Sequence, residues 1–267
     1  MKKYFSFLRI RFFYGLQYRA AAYAGIVTQF AWGFMTILMF KAFYKSNPAA
    51  FPMSFAQLSS YVWLQQAFLA LIMFWFFDSD IFLTISNGNI AYELCRPIDL
   101  YDMWFTKNQA NRLAKVILRC PLVLLIAFLL PPPYSLILPQ DLFSLLLFAL
   151  SLVLGSLVMI ALSMLVYITT FYTLSPFGLR VVAASIMEFL SGAIIPLPFL
   201  PAKMRLILQF LPFASLQDIP FSIYNGHIAN SQIIFNISIQ LFWLISLVFV
   251  GKLFMKRALK KIVVQGG

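Results

Sequence analysis

The sequence predicts an all-α polytopic membrane protein. It has six transmembrane helices, both termini cytoplasmic, a short cytoplasmic helix after span two and a re-entrant helical hairpin between spans five and six. Three observations predict this. Of 267 residues, 62% are hydrophobic and only 10% charged, against about 25% charged in a soluble domain. The uncharged runs are long enough to cross ~30 Å of hydrocarbon at a rise of 1.5 Å per residue. Lys and Arg are also divided unequally between alternate loops, as in membrane proteins with a fixed orientation. The net charge of +12 therefore flanks spans, and nucleic acid is not expected as a partner.

The whole chain, 1–267, reads as one membrane domain. Residues 1–19 carry Lys2, Lys3, Arg9, Arg11 and Arg19. At ~100° per residue these spread around a helix, so this is a basic, aromatic interfacial segment rather than a one-faced amphipathic helix. The early charges leave no apolar core for a cleavable signal peptide. Span one, 20–40, lies between Arg19 and Lys41. Span two is placed at 55–77, because Pro48 and Pro52 start the preceding run outside the membrane. Span three, 114–130, is stopped by Pro131-Pro132-Pro133, which lack amide donors. Span four, 142–174, exits at Pro176 and Gly178. Span five is 179–195 and span six 232–253, followed by a basic tail. In that tail Lys252, Lys256 and Lys260 repeat every four residues beside Arg257 and Lys261, giving one stripe for headgroups or a partner. With this topology sixteen Lys and Arg lie on the side of the termini and four on the other, which puts the termini in the cytoplasm.

Two connections stand out. The cytoplasmic segment 78–113 holds Asp78, Asp80, Glu93, Asp99 and Asp102 with Arg96, Lys107 and Arg112. Ser86-Asn87-Gly88-Asn89 is a turn signal. Ile90–Leu94 suits a short helix, stopped at Arg96-Pro97 because a residue before proline avoids the α region. Asp99 then caps a further helix. The plainer reading is a solvated loop. The alternative is a docking surface, since Ile90, Tyr92, Leu94, Tyr101 and Trp104 leave apolar area uncovered. The external segment 196–226 is proline-rich, yet Met204–Leu211 is apolar and too short to cross. It is expected to be re-entrant or interfacial. Gly192, Pro196, Pro198 and Pro201 mark its entry as a candidate outer gate, the alternative being a simple interfacial plug.

No chemistry of nucleotides is legible on the chain. It has no G-x-x-x-x-G-K-[ST], no G-x-S-x-G and no H-E-x-x-H. The single histidine, His227, is expected in an external loop. Cys95 and Cys120 make neither a disulfide framework nor a metal site. No catalytic residue, metal or cofactor is expected. Asp141 and Asp218 read as caps or surface charges. Glu188 is different. An acid within a span costs at least ~2.5–3.5 kcal/mol and is a functional candidate by default. Ala184 and Gly192 lie one turn to either side, on the same face. Glu188 attracts a cationic substrate, carries a proton, or pairs with a neighbouring polar group.

Three stretches, GNIAYELCRPIDLY (Gly88–Tyr101), SGAIIPLPFLP (Ser191–Pro201) and the closing VVQGG (Val263–Gly267), together with the six-span outline, resemble the permease subunits of type-2 ABC exporters. They resemble in particular a bacterial branch whose permeases pair and some of whose members export drugs or toxic organic cations. The resemblance implies a coupling helix on Ile85–Leu94. There Ile85, Asn87, Gly88, Asn89, Tyr92, Glu93 and Leu94 would meet the ATPase, and Arg96 and Pro97 would fix the exit. It implies two ABC ATPase subunits that hold ATP and Mg, a second permease of the same or a homologous chain, surrounding membrane lipids, and a place in the bacterial cytoplasmic membrane. The expected function is outward movement of a hydrophobic or amphiphilic compound (drug, organic cation, peptide or lipid-like) by alternating access. Two other classes remain open: a proton-coupled secondary carrier using Glu188, and a membrane immunity or sensor protein.

Overall fold

The computed structural model describes residues 2–17, 19–173 and 176–260. Every regular element among them is helical. The end of the predicted fourth span at Leu174, Lys261 of the basic stripe and the closing VVQGG lie outside the described residues.

Helix α1 (Lys2–Gly15) buries no side chain fully, as its scattered charges predict. It nevertheless runs along a later helix, α7 (Leu100–Leu129), and Gly15 permits the approach: a Cβ there would lie 2.7 Å from Cβ of Ala114. Helix α2 (Arg19–Ser46) contains the predicted first span and extends a turn and a half beyond it. Its Gly33 lets Trp63 of the next helix lie flat on its backbone, where a Cβ would be 2.7 Å from the indole. Trp63 is fully buried between Phe30 and Phe34, and its indole N–H donates to the Tyr134 carbonyl at 2.7 Å.

The second span is not one helix. Helix α3 (Phe55–Ala67) starts where predicted, because Ser54 and Gln57 form a reciprocal capping box. It breaks at Phe68, resumes for one turn as α4 (Leu69–Ile72), and is non-helical from Met73 to Asp78. Apolar composition alone gave no sign of this break. The segment predicted to be cytoplasmic then forms α5 (Ser79–Ser86), a turn at Asn87–Asn89 and α6 (Ile90–Leu94). Ile85–Leu94 is therefore a helix–turn–helix corner and not a single coupling helix. Gly88, at φ +70°, makes the turn.

Asp99 caps α7 (Leu100–Leu129) through a bond from the Asp102 amide at 3.1 Å. This helix absorbs the predicted third span and the last third of the predicted cytoplasmic loop into one continuous rod. It ends immediately before the three prolines. Helix α8 (Leu142–Thr169) is capped by Asp141 and continues as a 3₁₀ turn over Thr170–Tyr172. Helix α9 (Pro176–Leu190) has no fully buried residue, and its 15 residues span only about 22 Å. It stops short of the predicted Ile195. The outer segment contains a 3₁₀ turn (Leu197–Phe199), α10 (Ala202–Leu208) and α11 (Asp218–Tyr224). Helix α12 (Asn230–Leu259) packs along α8.

Among the described residues, three helices are by themselves long and apolar enough to cross a membrane: Ala22–Ser46, Leu142–Tyr172 and Ser231–Leu259. The broken α3–α4, the charged α7 and the short α9 complete the bundle.

Candidate transport cavity and coupling surface

A cavity of about 590 Å³ opens between α2, the broken second span and the end of α9. Its walls combine Trp32 and Trp75 with Gln29, Gln65 and Gln66, and Glu188 enters from α9. Gln29 comes from the middle of α2, whereas Gln65 and Gln66 lie in the last turn of α3 and Glu188 in the last turn of α9. Glu188 is half-buried, and its carboxylate has no hydrogen-bond or ion-pair partner among the described residues. Of the three readings open for Glu188, the pairing with a neighbouring polar group is not formed among the described residues. Among the described residues, no Lys, Arg or His lines the cavity. Gly192 does not sit on the Glu188 face of a helix. It is the left-handed residue, φ +79°, that ends α9. The amides of Gly192 and Ala193 donate to the carbonyls of Phe189 and Glu188 at 3.4 and 3.1 Å, the pattern of a Schellman cap.

The floor of this cavity is held by a group the sequence reading left in a loop. Arg112 of α7 is fully buried. One guanidinium nitrogen donates to the carbonyls of Ala70, Leu71 and Met73 at 3.0, 3.2 and 3.0 Å, and the other to Phe76 at 3.3 Å. Helix ends leave carbonyls without partners, and such groups are costly away from water. Arg112 therefore makes the break in span two tolerable. One turn and a half earlier, Lys107 is an equally buried cation. Its ammonium lies 3.1 Å from Asp78, whose side chain is only 8% exposed, and 3.3 Å from Asp80, which is 74% exposed. Asp78 also accepts from Asn111 at 3.0 Å, and its amide donates to the Tyr167 hydroxyl at 2.6 Å. Tyr167 in turn donates to Asn108 at 3.2 Å. These contacts lock the cavity floor, the start of α5 and the inner ends of α7 and α8 together. No clear signal in the sequence reveals this, because the segment through Arg119 balances five cations with five acids, as a solvated loop would.

The predicted docking surface is smaller than its apolar residues suggest. Ile90, Tyr101 and Trp104 are buried. Glu93 is not free to meet a partner either, because its carboxylate accepts the Trp104 indole N–H. What remains outward is Tyr92, 77% exposed, and Leu94, 44% exposed, with Asn87, Gly88, Asn89, Arg96 and Pro97 around them. Ile85 is half-buried beneath. The exit is fixed by α1: Lys3 donates to the Pro97 carbonyl at 2.8 Å and the Asp99 amide to the Tyr4 hydroxyl at 3.2 Å. In the basic tail, Lys252 is bound to Asp102 at 2.6 Å, so it stiffens the contact of α12 with α7 rather than facing headgroups.

At the opposite end, three glutamines carry the irregular backbone. Gln65 donates to Ala193 at 2.7 Å, Gln217 to Ser191 at 3.2 Å, and Gln240 to Ser215 and Ser151 at 2.9 and 3.1 Å. Gly155 of α8 lies under this layer, where a Cβ would be 2.4 Å from the Ser215 carbonyl. Pro196 and Pro201 immediately precede the 3₁₀ turn and α10, and Pro198 lies within that turn. Asp141 is a cap, as expected, and its bond from Ser144 holds its carboxyl below the usual value. Asp218 is neither a cap nor a surface charge. Its Oδ1 is buried without a hydrogen-bond partner, and burial pushes its carboxyl up to about 7 against the opposing effect of Arg205.

A helical bundle that encloses a cavity with Gln and Glu side chains in a mainly apolar wall, and that carries the exposed α5–α6 corner, suits the membrane part of a transporter. The comparison with known families agrees. Residues 30–266 match the family described as ABC-2 family transporter protein, and the chain belongs to that family. It is a permease component of an ABC transporter, a membrane part and not the catalytic ATPase. A search of curated proteins finds no match.

Proposed function

We propose that this chain is the permease of an ATP-driven exporter that moves a hydrophobic or amphiphilic compound outward by alternating access. Two ATPase subunits drive it, and a second permease of the same or a homologous chain completes the pathway. Six passes, two of them made by the broken α3–α4 and the short α9, place both termini in the cytoplasm of a bacterial cell. The observation that carries this reading is the continuous buried network from the outward Tyr92–Leu94 corner to the cavity floor. Asp78 begins α5 and is held by Lys107, and Met73 and Phe76 are held by Arg112 on the same helix, α7. A push on the α5–α6 corner is thereby transmitted to Met73 and Trp75 in the cavity wall. Two-state movement of packed elements is how such a push opens and closes a pathway. The outer glutamine layer, with Gly192, Pro196, Pro198 and Pro201, acts as the external gate.

A second permease is supported by α9. Its lack of any fully buried residue and the unpaired Glu188 beside an open cavity describe a wall finished by another chain. The decisive experiment replaces Tyr92 and Leu94 by Asp. The permease is expected to fold and to lose co-purification with its ATPase. Intact assembly with unchanged ATP turnover would sink the coupling assignment. The unpaired Glu188 also keeps a second reading in play, a proton-coupled carrier. That reading requires transport in vesicles without ATP, abolished by Glu188→Gln.

A further inference from the structure

A second cavity, of about 330 Å³, lies where α1 and the start of α2 meet α7. Its lining includes Tyr14, Ala22, Asn111, Lys115, Leu118 and Arg119. Lys115 and Arg119 are one turn apart and so share a face of α7. They stand at the beginning of the third span, the level at which lipid phosphates of the cytoplasmic leaflet lie in the proposed topology.

None of the described residues that line the cavity is acidic. Asp78 acts on Lys115 at a distance but is already held by Lys107 and Asn111. Arg112 is committed to backbone carbonyls. The Lys115 ammonium sits 4.9 Å from the Phe76 ring centroid and has no hydrogen bond or ion pair among the described residues. The Arg119 guanidinium is laid against α2 at Gly25, where a Cβ would be 2.5 Å from its Cζ. Two cations are thus set into a partly enclosed site with room for an anion.

The second observation is apolar and continuous with the first. From Leu118, the same face of α7 runs through Leu122, Leu125 and Leu129, which are 39%, 56% and 71% exposed. This stripe leads from the basic pair toward the bilayer centre. A ligand that satisfies both parts carries a negative phosphate on hydrocarbon chains.

We propose that this cavity is a binding site for one anionic phospholipid of the cytoplasmic leaflet. Its phosphate lies between Lys115 and Arg119, Tyr14 and Asn111 border the headgroup, and an acyl chain follows Leu118 and Leu122. Basic pockets between helices on the cytoplasmic side take such headgroups. The location binds α1, α2 and α7 to one lipid, and α1 also holds the exit of the coupling corner through Lys3 and Tyr4. The site is distinct from the transport cavity.

The test uses the full chain purified in mild detergent and measures lipid retained per protein by native mass spectrometry. Phosphatidylglycerol and phosphatidylcholine of equal chain length compete. One phosphatidylglycerol is expected to be retained in preference. Lys115→Ala is expected to lower its retention about fivefold, the effect of one basic residue near an anionic surface. Leu118→Trp keeps both charges but fills the cavity, and it is expected to lose the lipid even if Lys115→Ala disturbs folding. Equal retention of the two lipids, or unchanged phosphatidylglycerol in a folded Lys115→Ala or Leu118→Trp, would overturn the proposal. Displacement of the bound lipid by millimolar inorganic phosphate would reassign the site to a soluble phosphate and overturn the lipid. None of these readouts involves the ATPase, so failure here leaves the exporter reading untouched.

Discussion

Replacing Arg112 by Met tests whether the break in span two is sustained by one side chain. Met keeps much of the length and removes every donor. Four carbonyls, those of Ala70, Leu71, Met73 and Phe76, then lose their bonds of 3.0–3.3 Å. A buried polar group left unpaired costs about 1–3 kcal/mol. Relaxation of the short α4 turn and an entering water recover part of the sum, and the guanidinium no longer has to be desolvated. A net loss of about 4 kcal/mol in local stability follows from these terms, equivalent to roughly a thousandfold in an opening equilibrium. Amide hydrogen exchange over residues 69–78, read by mass spectrometry on purified protein, measures it. Exchange there is expected to accelerate by about that factor, with little change in α8 and α12. Arg112→Lys is expected to fall between, because an ammonium cannot reach four carbonyls with a planar fork. Unchanged exchange in Arg112→Met would refute the idea that this residue holds the break, and with it the transmission route to the cavity floor.

Other consequences are direct. Asp78→Asn leaves the buried Lys107 with only the exposed Asp80, and is expected to cost about 3–5 kcal/mol in thermal or denaturant unfolding. Asp80→Asn, at a side chain 74% exposed, is expected to cost at most about 1 kcal/mol. Gly155→Ala forces a Cβ against the Ser215 carbonyl at 2.4 Å, and overpacking of about 1–3 kcal/mol is expected as a lowered melting temperature with the outer segment displaced. Asp141 has a lowered folded-state pKa. Its contribution is therefore full above the unfolded value of about 3.9 and disappears as pH falls through the folded one, whereas Asp141→Asn keeps the cap without that acid dependence. Asp218 behaves oppositely. Its raised value, about 7, makes the charged form unfavourable in the folded protein, so its drag on stability grows from about pH 4 to pH 7. Asp218→Asn is expected to gain melting temperature over that range.

How far the sequence speaks depends on the kind of signal. Helix starts with local chemistry were the most legible: Asp99 before α7 acts on an amide three residues on. Asp141, open as a cap or a surface charge, does the same before α8, while the equally local box of Ser54 with Gln57 was not read. The stop at Pro131 and the turn at Gly88 are equally local. The helix ends that depend on distant partners were not. The second span reads as unbroken apolar sequence because its interruption is paid for by Arg112, some 40 residues away. Gly192 looked like a small residue on a helix face, and only the end of α9 turns it into a cap. In the coupling segment, composition identified the right stretch but could not separate covered from uncovered residues. Ile90, Tyr101 and Trp104 are as apolar as Tyr92 and Leu94, and the difference is which of them distant elements cover: Tyr101 lies against Gly251 of α12, and Trp104 against Tyr167 and Phe171.

By itself the sequence determined that the chain lives in a membrane, that it is helical, where most helices begin, and that the charged segment after the second apolar run is ordered. These follow from transfer of apolar side chains and from hydrogen bonds closed within a few residues. The tertiary structure alone decided that Lys107 and Arg112 are interior cations, that Glu188 opens into a cavity without a partner, and that Lys115 and Arg119 flank a second one. The reason is that a charge is defined by what surrounds it, and those surroundings are assembled from helices far apart along the chain.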